Sequence, residues 1–240
     1  MTPARIPFFT RDEPGGSGPW GGAPEPGRAP EPPRRTRQPI FNETPGVVVA
    51  LAAAILGVQA LNAMSMGSGG IAHGLTFGLG AVVAGPDGAR FLGGLPSWVL
   101  HVFVHGGWVH AIINTIALFA FGAAAARPFG RGPSAAIGFL AFFFTCAVFG
   151  AIAHELVHWT EGVRMVGAST AVSGLLAAAG WASGGRQGML RLAAPWALIN
   201  TVIAVVSGFA PIAIAWAGHV GGLVAGAALY PLFVSWFRSR

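Results

Sequence analysis

Residues 167–174 read Gly-Ala-Ser-Thr-Ala-Val-Ser-Gly and open an apolar run that continues to Trp181. Ser169 stands among small residues at the first turn of a membrane-length segment. Its hydroxyl is therefore accessible and lies near backbone N–H groups that have no intrahelical partner. This position suits a nucleophile, and it equally suits a serine that caps a tightly packed transmembrane helix. The rest of the chain decides between the two interpretations.

The composition is that of an integral membrane protein. Of 240 residues, 53% are hydrophobic and 9% charged, whereas about a quarter of the residues of average soluble domains are charged. The net charge of +6 comes from 14 arginines in a tail and between apolar runs. Because they form no basic face, nucleic acid is not a predicted partner. The single cysteine, Cys146, is predicted to pack in the core.

The distribution of apolar residues predicts three regions. Residues 1–45 hold 11 of the 18 prolines and are predicted to be a disordered tail without a signal peptide. Residues 46–235 form the predicted membrane domain, and 236–240 a C-terminal tail. Residues 69–85 are apolar but rich in glycine, and are assigned to a long interfacial loop, 65–106, rather than to a span. Six runs have membrane-spanning length: 46–64, 107–126, 133–153, 168–184, 192–208 and 211–235.

Arginine placement predicts the orientation of these spans. With a cytoplasmic N-terminus, the tail, the inner loops and the C-terminal end hold 12 of the 14 arginines. Only Arg90 and Arg164 fall in outer loops, which follows the positive-inside rule. A seventh span at 69–85 would reverse every later loop and remove this pattern. Both termini are therefore predicted to be cytoplasmic.

Polar side chains within three of the spans form the candidate site. His110 and Asn114 lie four residues apart on one face of the second span, and Ser169 opens the fourth. His219 lies in the sixth span, where glycines such as Gly222 allow a neighbouring helix to approach closely. A lone histidine here is compatible with packing. Polar groups inside a membrane are costly, however, so convergence of the set at one depth indicates a functional site.

These residues resemble the rhomboid family of intramembrane serine proteases, and the resemblance covers residues 46–235. It implies an all-α, polytopic bundle of six transmembrane helices in the bacterial inner membrane, with no cofactor and no metal. Gly167 and Gly222 are carried over as supporting glycines. The motifs are His-Gly-Gly-Trp-x-His-x-x-x-Asn at 105–114, Gly-x-Ser at 167–169 and His-x-x-Gly-x-x-x-Gly at 219–226.

The resemblance also implies a role for each polar residue. Ser169 is the nucleophile, and His219 is the general base that activates it and later protonates the leaving amine. His110, Asn114 and the backbone N–H of Ser169 stabilise the tetrahedral oxyanion. The implied substrates are other membrane proteins, cut in or beside a transmembrane helix near the outer face of the lipid bilayer.

Several positions bear on this expectation. No Asp or Glu lies between Asp87 and Glu155 or after Glu161, which predicts a dyad rather than a triad. The sequence departs from the family pattern at four places. Two departures concern rate and specificity: Thr170 replaces a second glycine, and Ser173 replaces an aromatic residue beneath the imidazole. Two concern stability: Ala126 replaces a glutamate, and Ser97-Trp98 replaces a Trp-Arg pair.

Two alternatives remain. His154 and His158 belong to a His-Glu-x-x-His sequence, the pattern of zinc proteases in which both histidines bind metal and the glutamate is the base. A catalytic zinc needs a third protein ligand, and the nearest carboxylates are Asp87 and Glu161. The match is therefore interpreted as an incidental polar exit from the third span. The second alternative is a rhomboid-like protein that binds transmembrane helices without cutting them.

Overall fold

The chain is almost entirely helical where this computed structural model describes it, in residues 44–65, 70–85, 94–209 and 214–238. All but the last two residues of the predicted tail lie outside these ranges. The elements, in chain order, are α1 (Gly46–Ser65), α2 (Ile71–Gly80), β1 (Val82–Val83), α3 (Ser97–Leu100), a 3₁₀ turn (His101–Phe103), α4 (Trp108–Ala126), a second 3₁₀ turn (Arg127–Phe129), α5 (Pro133–Val157), β2 (Arg164–Met165), α6 (Ser169–Ser207) and α7 (Trp216–Arg238).

Five helices within the described ranges are long and apolar enough to cross a membrane, and α6 is the longest of them. It has 39 residues, whereas a single crossing needs about 20. Its backbone is non-helical at Gly184 and Gly185, and Gly185 has a φ of +57°. Glycine adopts this left-handed conformation without steric cost. The two glycines divide α6 into a first limb, residues 169–183, and a second limb, residues 186–207.

The two limbs of α6 pack against each other as an antiparallel pair. A Cβ atom at Gly180 would lie 2.6 Å from the carbonyl oxygen of Gly188. Further along, Trp196 Nε1 donates a hydrogen bond of 2.9 Å to Ser173 Oγ. The end of the first limb thus contacts the start of the second, and the start of the first limb contacts a residue further along the second. This order requires the second limb to fold back on the first. The limbs correspond to the fourth and fifth predicted spans, so the five long helices account for all six predicted spans and the all-α, polytopic bundle is confirmed.

The predicted loop 65–106 contains regular structure that the sequence analysis did not assign. Helix α2 has 10 residues, about half of what a membrane crossing needs, so it adds no seventh span. Strand β1 pairs antiparallel with β2, with Val82 opposite Met165. Because β2 shortly precedes α6, this pairing holds the chain just before Ser169 against β1.

Two helices extend past their predicted ends. Helix α5 continues to Val157 instead of 153, and α7 continues to Arg238 instead of 235. The apolar pattern stops earlier than the backbone hydrogen bonds do, because His154 and Glu155 are polar but still helical. Cys146 on α5 is free and fully buried, as predicted.

Glycines bring the backbone of α7 directly onto that of α6. A Cβ atom at Gly222 would collide with the carbonyl oxygen of Thr170, and one at Gly226 with the carbonyl oxygen of Gly174. Both obstacles are backbone atoms of another helix, so they cannot move aside as a flexible side chain can. This close approach is the reason that side chains at the start of α6 and α7 reach each other.

Gly222→Ala is expected to lower the free energy of unfolding by roughly 1–3 kcal/mol, the usual cost of overpacking a core. Gly57→Ala on α1 is the matched control, because a Cβ atom there would meet no atom within 4 Å. The control is expected to be neutral or slightly stabilising, since alanine is the better helix former. Thermal unfolding of both variants in detergent measures the difference, and equal midpoints would contradict the packing argument.

Candidate active site

Ser169 and His219 lie within hydrogen-bond distance of each other. Ser169 is the first residue of α6, and His219 lies in the first turn of α7. Ser169 Oγ is 2.8 Å from His219 Nε2, inside the range of about 2.6–3.2 Å needed for proton transfer between a nucleophile and a base. The sequence placed these two residues 50 positions apart, and the α6–α7 contact brings them together.

The chain turns tightly just before Ser169, and position 167 in this turn accommodates only glycine. Gly167 has a φ of +111°, and a Cβ atom there would lie 2.7 Å from the imidazole of His110. The Gly167 N–H donates a hydrogen bond of 2.9 Å to the carbonyl of His101. The turn is thus anchored to the 3₁₀ segment before α4, and the His110 ring packs over it. Any other residue at position 167 would therefore strain the backbone just before Ser169.

Thr170, where the family pattern has glycine, is fully buried and hydrogen-bonded. His101 Nδ1 lies 2.9 Å from the Ser97 carbonyl oxygen, which can only accept, so Nδ1 carries the proton. His101 Nε2 then accepts from the Thr170 hydroxyl at 2.9 Å. Burial lowers the pKa of His101 to about 4, which keeps the imidazole neutral near pH 7 and able to accept this bond. Glycines on α5 and α7, Gly150 and Gly218, leave room for the threonine side chain.

His105 supports the same turn from the other side. The Ala168 N–H points to His105 Nε2 at 3.4 Å, a long contact. The His105 ring also meets His110 edge-on, with the ring centroids 4.9 Å apart. Burial, together with the neighbouring His110, lowers the pKa of His105 to about 4. A neutral His105 therefore places no positive charge beside the turn near neutral pH.

His110 and Asn114 line the same cavity as Ser169 and His219. This cavity has a volume of about 1400 Å³. Asn114 is 4% exposed, and its Nδ2 donates a hydrogen bond of 2.9 Å to the His110 carbonyl. An amide nitrogen has two hydrogens, so one remains for a ligand. The structure thus brings all four predicted polar residues to one cavity. Gly222 is not among the lining residues and lies in the α6–α7 contact.

Sequence reasoning missed two residues on the second limb of α6 that contact His219. Asn200 Oδ1 is 2.9 Å from His219 Nδ1, and the Trp196 ring lies beside the imidazole with a centroid distance of 5.6 Å. A signal was present, because Asn200 is a polar residue inside an apolar run, which by default marks a functional position. Nothing in the sequence shows which helix it faces.

The rival histidines His154 and His158 also line the cavity, but they form no metal site with other side chains in the described ranges. His154 Nε2 lies 3.3 Å from the Val163 carbonyl, and His158 Nδ1 lies 2.8 Å from Glu161. Glu155 accepts a hydrogen bond of 3.1 Å from Trp98 Nε1. Among the residues that the structure describes, no three His, Cys, Asp or Glu side chains are placed to share a metal ion.

The fold and this cavity define a multi-pass helical membrane protein with a serine–histidine pair between two helices. A family model described as the Rhomboid domain matches residues 93–236. The match covers more than half of the chain, and the protein therefore belongs to the rhomboid family. Comparison with curated proteins gives no match.

Proposed function

We propose that this protein is an intramembrane serine endopeptidase that hydrolyses peptide bonds in or beside transmembrane segments of other membrane proteins. The observation that supports this most is the 2.8 Å contact between Ser169 Oγ and His219 Nε2 at the cavity. Membership of a family composed largely of such proteases adds to it. The fixed turn at Gly167 holds the serine where a peptide in the cavity meets it.

The reaction follows from the groups at the cavity. Ser169 Oγ attacks the scissile carbonyl carbon while His219 Nε2 takes the hydroxyl proton. The negative oxygen of the tetrahedral intermediate receives hydrogen bonds from His110, Asn114 and the Ser169 N–H. His219 then gives its proton to the leaving amine, the C–N bond breaks, and an acyl-serine remains. Water attacks this ester with His219 again as base; His219 then returns the proton to Ser169 Oγ as the acyl C–O bond breaks, and the carboxylic acid product leaves.

The cavity wall favours an apolar substrate. Phe121, Leu176 and Ile203 line it alongside the polar groups. A transmembrane segment that enters such a cavity keeps its apolar side chains out of water, while its backbone reaches the polar groups. This supports membrane proteins with a transmembrane helix as the substrate class.

The site is proposed to open towards the outer face of a bacterial inner membrane. The arginine distribution supports cytoplasmic N- and C-termini, since 12 of the 14 arginines then lie inside. In that orientation Ser169, His219 and Asn114 all lie in the outer half of their spans.

A reconstituted assay tests the proposal directly. The purified full-length protein is placed in liposomes with a single-span model substrate, and the new termini are identified by mass spectrometry. Cleavage within or beside the transmembrane segment supports the proposal. Binding of the substrate without any cleavage, over a range of lipids and substrates, would instead favour a rhomboid-like protein that only binds transmembrane helices.

Cleavage is expected to survive prolonged treatment with a strong zinc chelator, and Glu155→Gln is expected to keep most of the activity. A serine mechanism takes the proton on His219 and needs no metal hydroxide, whereas a zinc site loses its nucleophile with the metal. Glutamine still accepts the Trp98 hydrogen bond seen at Glu155, so this contact with Trp98 is kept. If Glu155→Gln is inactive and zinc restores the chelated enzyme, the serine mechanism is wrong.

A further inference from the structure

The side-chain amide of Asn200 has one favourable orientation. Its Nδ2 lies 2.9 Å from the carbonyl oxygen of Trp196, and a carbonyl oxygen can only accept. Flipping the amide would place two oxygens against each other at that distance. Asn200 is 0% exposed, so water cannot relieve the conflict. The Oδ1 atom is therefore directed at the second partner, His219 Nδ1, at 2.9 Å.

This orientation selects the tautomer of His219. Because Asn200 Oδ1 accepts, His219 Nδ1 must carry the proton in the neutral ring. His219 Nε2 is then left with its lone pair facing Ser169 Oγ, which is 2.8 Å away. The opposite tautomer would place a hydrogen towards Ser169 and leave two lone pairs facing each other at Asn200. Only the first tautomer accepts the serine proton.

Trp196 restricts the plane of the same ring. Its indole lies 5.6 Å from the imidazole centroid, tilted by 33°. The indole is itself held by the 2.9 Å hydrogen bond from its Nε1 to Ser173 Oγ. Ser173 stands where the family pattern has an aromatic residue. Here the aromatic ring beside the imidazole comes from the second limb of α6.

We propose that Asn200 is a positioning residue that, acting with Trp196, holds His219 in the orientation and tautomer needed to accept the Ser169 proton. The inference rests on the proposed protease function and extends the Ser169–His219 pair to a third side chain. Asparagine supplies the acceptor without a buried negative charge, which a membrane interior strongly disfavours. As His219 becomes positive in the transition state, the Oδ1 dipole of Asn200 also stabilises it.

Asn200→Leu keeps the number and branching of the side-chain heavy atoms but has no acceptor. It is expected to lower kcat for a single-span substrate by roughly 10²-fold, with KM little changed. This is less than the ~10⁴-fold that a wrong tautomer costs in Ser-His-Asp proteases, because the ring is freed rather than forced into the wrong tautomer. The rate at which a fluorophosphonate labels Ser169 is expected to fall in parallel. Asn200→Asp, which as the neutral acid donates its O–H to the Trp196 carbonyl and accepts from His219 Nδ1, should recover at least tenfold of the loss.

Thr201→Ala is the matched control on the same limb. Like Asn200, Thr201 hydrogen-bonds to the carbonyl four residues earlier, at 2.9 Å on Ala197, but its side chain is exposed. Unchanged kcat and labelling in Thr201→Ala would show that loss of such a bond does not by itself impair the enzyme. If Asn200→Leu keeps full kcat, or if Asn200→Asp is no more active than Asn200→Leu, the inference is overturned.

A spectroscopic measurement covers the case in which Asn200→Leu does not fold. The ¹⁵N spectrum of histidine-labelled wild-type protein, compared with that of His219→Ala to assign the signal, reports the tautomer without any variant at Asn200. A proton on Nδ1 of His219 supports the inference, and a proton on Nε2 overturns it. This readout does not depend on cleavage. Cleavage by Ser169→Ala, in contrast, would reject the proposed function itself.

Discussion

Ser169→Ala is expected to lower cleavage of a transmembrane substrate by about 10⁴-fold or more, and His219→Ala is expected to have the same effect. The two residues act as one unit, because the hydroxyl attacks only when Nε2 takes its proton. Combining the substitutions should therefore cost little more than either one alone. Single-turnover cleavage in liposomes and fluorophosphonate labelling measure the two losses.

Ser183→Ala controls for the loss of a serine on the same limb. Ser183 Oγ hydrogen-bonds to the carbonyl of Gly180 at 3.0 Å, at the opposite end of that limb. Its replacement should leave cleavage and labelling intact. All variants should show similar expression and thermal midpoints. Substantial cleavage by purified Ser169→Ala would mean that another nucleophile acts and that the proposed serine mechanism is incorrect.

The positions of the spans could be predicted from the sequence because each apolar run had to match the thickness of hydrocarbon. The glycines at 222 and 226 also indicated a close helix contact, and the structure places them against backbone carbonyls of α6. The length of an apolar run and the positions of its glycines suffice for these inferences, because both can be read from a single segment.

Contacts between segments could not be predicted in the same way. The reversal at Gly184 and Gly185 turns the second limb back on the first, and only then does Asn200 come to face His219. A sequence gives the order of residues around one helix but not the rotation of that helix against its neighbours. Helix α2 was missed for a related reason, because its glycines weaken the helical pattern that packing restores.

Two departures from the family pattern have partners in the structure. The Thr170 hydroxyl is bonded to His101, and the Ser173 hydroxyl accepts from the indole of Trp196. The threonine fills space beside glycines of α5 and α7, and the serine leaves room for an aromatic ring from the second limb. Thr170 and Ser173 are therefore each hydrogen-bonded to a partner side chain, His101 and Trp196 respectively. We therefore expect reverting either residue alone to disturb the site rather than improve it.

Asn114→Ala is expected to lower turnover by roughly 10²–10³-fold while leaving substrate binding nearly unchanged. The physical reason is that the amide donates to an oxygen that becomes negative only in the tetrahedral state, so the ground state gains little from it. Single-turnover rates and substrate affinity, measured on the same liposome preparations, separate the two effects.

Thr115→Ala is the control for this substitution, because Asn114 also hydrogen-bonds to its own helix. Thr115 is the next residue on α4 and donates 2.8 Å to the carbonyl of Ala111, in the same manner as Asn114 does to His110. It is buried but is not among the residues that line the cavity. If Thr115→Ala slows turnover as much as Asn114→Ala, the effect comes from α4 and not from the oxyanion. If Asn114→Ala weakens binding and keeps turnover, Asn114 is a substrate contact, and His110 with the Ser169 N–H must stabilise the oxyanion without it.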